Sequence, residues 1–150
     1  MGKVGRAAAV VGVLDGIAEV LFGFAMSGAF RPVRTFQGIA AGVLGRPAFD
    51  GGLGTAAAGL LFHFVVAAVW SLVYFLVFQR WRALREVVRS RAGTLGVAIA
   101  VGTVVWLMMS LVVVPLSSAT PSAAFSRVWF ALLAIHWVAV GLPIAAIVRR

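Results

Sequence analysis

The chain alternates long apolar runs with short polar breaks rich in glycine and proline. The first run, AAAVVGVLDGIAEVLFGFAMSGAF, extends from Ala7 to Phe30; the second, TAAAGLLFHFVVAAVWSLVYFLVF, from Thr55 to Phe78. A third covers Ala92 to about Val114 and stops at Pro115, and a fourth covers about Arg127 to Val148. Each supplies the roughly 20 apolar residues that the hydrocarbon core of a bilayer requires. In lipid such runs must be helical, because a helix satisfies its own backbone hydrogen bonds. Between the first two runs, Arg31 to Gly54 is too polar and too rich in glycine and proline to span. Its middle, Thr35 to Gly45, has helical character at a length suited to an interfacial or re-entrant segment. Pro47 and Gly51-Gly52-x-Gly54 then break the chain, with Asp50-Gly51-Gly52 as a turn feeding the second span. The pattern predicts an all-α membrane protein. A four-transmembrane-helix bundle forms a single domain over residues 1–150, with a short amphipathic or re-entrant helix between helices 1 and 2.

Composition sharpens this. Hydrophobic residues make up 63% of the 150 and charged residues 11%, against roughly 45–50% and 25% in soluble domains. Asp15 and Glu19 interrupt what would be the apolar centre of a signal peptide, so the first run is expected to be a retained helix. The net charge of +9 does not imply nucleic acid, because the basic residues cluster at the edges of apolar runs instead of forming a basic surface. Their distribution sets an orientation. Lys3, Arg6, Arg80, Arg82, Arg85, Arg89, Arg91, Arg149 and Arg150 would share one side and only Arg31, Arg34, Arg46 and Arg127 the other, which predicts both termini in the cytoplasm. Trp81 and Trp129 fall where interfacial aromatic anchors are expected, while Trp70, Trp106 and Trp137 lie deeper as packing or lipid-facing residues. The absence of cysteine excludes disulfides, thiolate metal sites and a cysteine nucleophile.

Small residues at helical spacing mark candidate helix contacts: Gly12-x-x-x-Gly16 in the first span, and Gly96, Ala100, Thr103 and Ser110 in the third. More informative are the ionisable groups inside spans, since charge in hydrocarbon costs several kcal/mol and such groups face the bundle interior. Asp15 and Glu19 are four apart and share one face of the first helix; His63 lies in the second span and His136 in the fourth. Glu19 and His136, both near mid-span, are expected to meet, with His63 close by. Asp15 is expected either to be neutral or to pair with a third-span hydroxyl, Ser110 or Thr103. Three readings of this polar cluster stand: interhelical hydrogen bonding, proton or cation handling, and ligation of a metal or haem by the two histidines. The first is preferred, and no metal or cofactor is assigned, since neither histidine has a ligand-spaced neighbour.

No catalytic motif is present: neither H-E-x-x-H nor G-x-x-x-x-G-K-[ST] occurs, and no serine stands in a nucleophile elbow. Asp15, FQGIAAGVLGRPAFDGGLGTAAAGLLFHF, VVPLSSA and GLPIAAIVRR, in that order, resemble a family of small bacterial membrane proteins known only as hypothetical integral membrane proteins. The likeness covers nearly the whole chain, and the Gly-Gly before the second span and the position of His63 are its most specific parts. A looser likeness, from the second helix onward, is to the YagU-like inner-membrane proteins, which also carry a histidine in the last span and a proline ending the third. The first helix and first loop depart from that pattern. The resemblance implies the bacterial inner membrane and carries no activity. The expected function is therefore a non-enzymatic structural or assembly component. It would work in the lipid bilayer with copies of itself or another membrane protein as partners. The alternative is a proton- or ion-coupled channel or transporter acting as an oligomer.

Overall fold

The computed structural model describes residues 2–119 and 122–149, and among them no strand occurs. Six helices follow one another: α1 (Lys3–Ser27), α2 (Pro32–Leu44), α3 (Gly52–Arg80), α4 (Arg82–Val87), α5 (Arg91–Leu116) and α6 (Arg127–Val148). Four of them, α1, α3, α5 and α6, are long and apolar enough to cross a membrane. The molecule has the architecture of a multi-pass membrane protein. Local chemistry sets the helix starts. Ser90 and Ser126 accept hydrogen bonds from the backbone N–H groups of Gly93 and Trp129, capping α5 and α6. Pro32 opens α2, where its missing N–H has no partner to lose.

Several boundaries differ from expectation. The first helix begins at Lys3 and ends at Ser27, displaced towards the N-terminus from the apolar run. Gly52 and Gly54 fall inside α3 instead of breaking the chain before it, and the break is a short 3-10 turn, Arg46–Asp50. The third span ends one residue beyond Pro115. Its helix widens into a π turn at Met109–Val113 and continues to Leu116. A second π turn, Trp137–Gly141, lies the same distance ahead of Pro143 in α6. A proline ring clashes with the carbonyl four residues earlier. The wider π turn relieves that clash, and this is how both helices pass their proline.

Packing around the bundle runs α2 on α3, α3 on α1, α1 on α6 and α6 on α5, while the backbones of α3 and α5 stand apart. Among the four spanning helices the closest approach is between α5 and α6. A Cβ added at Gly141 would lie 2.0 Å from the carbonyl oxygen of Ala98, and one at Gly102 would lie 2.6 Å from that of His136. Only glycine permits these separations. Gly96, assigned to a helix contact from its spacing, is exposed, and a Cβ there would meet nothing. The operative small-residue pairs are Ala98-x-x-x-Gly102 and Gly141-x-x-x-Ala145, which occupy the same kind of spacing one register away.

The end of the bundle carrying the chain termini is closed. Ala7, Ile144, Ala145 and Val148 have no exposure, and Tyr74, Phe78, Val88 and Val97 complete the same core. Arg85 donates to the carbonyls of Phe78 and Gln79 and so caps the last turn of α3. Arg149 donates to Thr94 Oγ1 at 2.7 Å and to the Val88 carbonyl at 3.3 Å, tying the end of α6 to the α4–α5 connection.

At the opposite end α2 lies along α3, with the Phe36 carbonyl where a Gly59 side chain would otherwise be. Gln37 donates to the Gly52 carbonyl, and Thr55 donates to that of Ala48 at 2.6 Å. The backbone N–H of Ser118 donates to the Gly42 carbonyl, joining the loop after α5 to α2.

Candidate functional site: an intramembrane polar chamber

Because α3 and α5 stand apart, a cavity of about 560 Å³ opens between them, with α1 and α6 on its flanks and α2 towards the loop end. Asp15, Glu19, His63 and His136 all line it. The exposed lining residues, Val43, Arg46, Val113 and Ser118, belong to the end of α2, the turn after it, the end of α5 and the loop that follows. The mouth is therefore at the loop end. The floor, towards the termini, includes Val11, Ala67 and Val140, all buried.

The four ionisable groups share this space without bonding one another. His63 Nε2 lies 2.9 Å from the Gly12 carbonyl oxygen, across the α1–α3 contact. His136 Nδ1 lies 2.8 Å from the Leu132 carbonyl oxygen of its own helix. A carbonyl can only accept, so each of these nitrogens carries a proton, and in a neutral ring the second nitrogen is the acceptor. The other nitrogens, Nδ1 of His63 and Nε2 of His136, have no hydrogen-bond partner among the described residues. Aromatic rings hold both imidazoles. Phe36 and Phe64 meet His63 edge-on at 6.2 and 5.9 Å between centroids, and Trp106 lies 4.8 Å from His136.

The predicted Glu19–His136 contact is not made: no ion pair or hydrogen bond joins them among the described residues. One reason is local supply, since the Leu132 carbonyl one turn back already satisfies the His136 ring. The other is depth. With α1 beginning at Lys3, Glu19 stands sixteen residues along it, about 24 Å from the termini end and four residues beyond the helix midpoint. His63 meets α1 at Gly12, seven residues and about 10 Å deeper than Glu19.

Asp15 takes neither proposed hydroxyl. Thr103 accepts instead from Trp137 Nε1 at 2.9 Å, and Ser110 Oγ is buried without a partner. Asp15 Oδ1 is likewise buried and unpartnered. Gly12 and Gly16 face α3, at Phe64 and His63. Trp129 is buried against Trp106 at 5.7 Å, not exposed as an interfacial anchor, whereas Trp81 is 60% exposed.

No group of three or more metal-binding side chains converges among the described residues. Sequence reasoning missed Trp106 and Arg46 as chamber residues. Trp106 was visible only as a deep aromatic, and Arg46 only as a loop charge. No protein-family model, curated protein or solved structure matches the chain.

Proposed function

We propose that this is a non-enzymatic protein of the bacterial inner membrane, with both termini cytoplasmic, whose chamber takes up a proton or cation from the outer side. One observation carries the reading: all four acidic and histidine residues inside the spans line a single cavity whose mouth is at the loop end. Buried ionisable groups in membranes ordinarily find partners or mark an ion path. Here neither carboxylate has an ion-pair partner among the described residues, while both histidines keep a second nitrogen open. The open nitrogens and carboxylates can receive and pass a proton. Arginine bias supports the orientation, and the resemblance of the loop and second-span residues supports the bacterial placement. A second reading, helix fastening, is favoured by the His63–Gly12 hydrogen bond. It accounts for one of the four groups.

The test is flux into liposomes holding the purified protein, followed with an internal pH dye under an imposed potential. The expected result is proton or monovalent-cation uptake above that of empty liposomes, reduced at least tenfold in Glu19→Gln and in His136→Ala at unchanged folded fraction. Uptake no faster than in empty liposomes, or equal in both variants, overturns the reading. Orientation is checked directly, because the chain has no cysteine. A cysteine at Gly2 should be shielded from an impermeant thiol reagent outside cells, and one at Ala123 should be labelled.

A further inference from the structure

The chamber differs from a bare ion path in the character of its walls. The walls include Phe62, Trp70 and Trp106, with Ile39, Val66 and Met109, while Phe49 already carries the Arg34 guanidinium 4.5 Å from its ring centre. A cavity of about 560 Å³ has the size of a small-molecule site, and such sites combine apolar walls with a few convergent polar groups. A hydrated inorganic ion has no use for that much apolar surface. An organic molecule does.

The polar groups specify which kind. Ionised carboxylates accept hydrogen bonds only, and a neutral His63 or His136 ring keeps one acceptor nitrogen beyond its carbonyl contact. His63 and His136 are 9% and 6% exposed, so these open nitrogens sit on side chains that are nine-tenths buried. Asp15 Oδ1 is buried and unpartnered. The site is therefore rich in acceptors, against one buried open donor, Trp106 Nε1, and aromatic faces attract cations that approach them. Arg46, the one arginine in the lining, stands exposed at the rim, where solvent screens its charge within about 8–10 Å.

We infer that the chamber binds an organic ammonium: a protonated amine with several N–H donors on an apolar, aromatic-sized body. The N–H groups meet Asp15, Glu19 and the open imidazole nitrogens, and the body lies against the aromatic walls. This rests on the reading of the chamber as a cation site and adds the class of cation.

The test uses the full chain in lipid nanodiscs, with empty nanodiscs subtracted, and reads binding by calorimetry. Three probes separate charge, donors and apolar bulk: 2-phenylethylammonium, its neutral counterpart 2-phenylethanol, and tetraphenylphosphonium, a cation without N–H groups. The ammonium should bind at least tenfold more tightly than the alcohol and more tightly than the phosphonium. Asp15→Asn and Glu19→Gln should each shrink the preference for ammonium over alcohol at least fivefold. Equal binding of ammonium and alcohol overturns the inference, as does stronger binding of the phosphonium. The probe series on the unaltered protein decides the matter even where a variant does not fold. Proton uptake indifferent to the ammonium would overturn this assignment and leave the chamber's role in place. Ammonium binding without any cation flux would overturn that role and leave the assignment in place.

Discussion

At the termini end of the bundle, Ala7, Ile144, Ala145 and Val148 are sealed from every side and two arginines, Arg85 and Arg149, tie loose carbonyls and a hydroxyl. At the loop end, α3 and α5 part and a cavity replaces the core. The same four helices build both ends, so the difference lies in the side chains and their spacing. Small residues meet in register where α5 and α6 close. Where large aromatics and ionisable groups face inward, the helices cannot close without burying unpaired polar groups, which is costly in hydrocarbon. A tight half holds the fold, and that leaves the loose half free to keep a polar chamber in an apolar solvent.

Substitutions at matched positions can break this contrast. The largest effect is expected at Gly141→Leu, which drives a side chain into the Ala98 carbonyl. It should cost about 3 kcal/mol or more, read as reversible unfolding in mixed micelles. A matched pair comes next. Val148→Ala in the sealed core should cost about 2 kcal/mol, while Val66→Ala in the chamber wall should cost less than about 1 kcal/mol, because space already adjoins it. Equal losses would mean the chamber is filled by protein in the membrane. His63→Ala removes the tie to Gly12 and should cost about 1 kcal/mol, the scale of interhelical hydrogen bonds in bilayers. The smallest effect is Gly96→Ala, expected within about 0.5 kcal/mol or slightly stabilising, since alanine is the better helix former. A loss well above that would place Gly96 against a second copy of the chain.

The polar residues show how far the sequence could be read. That Asp15, Glu19, His63 and His136 face inward follows from the cost of charge in lipid, and all four line one cavity. Their pairing was not legible. It depended on Glu19 lying four residues beyond the helix midpoint once the helix start moved to Lys3, and on backbone carbonyls that compete with carboxylates for each imidazole. The glycine contacts were half legible. Small residues four apart are common in this chain, and which of them meets a neighbour depends on helix rotation, which Gly96 and Gly102 resolve in opposite ways.

What the sequence alone determined is the number of spans, their approximate limits and the inward turn of the charged groups. Each follows from the transfer of one segment at a time between water and hydrocarbon, a local energy that needs no knowledge of neighbours. What only the tertiary structure decided is the set of relations between segments. These are the π turns that carry α5 and α6 past Pro115 and Pro143, the Gly102–Gly141 closure and the gap between α3 and α5. Helices in lipid associate through shape and hydrogen bonds instead of apolar burial, so their register is set by the fit of whole surfaces.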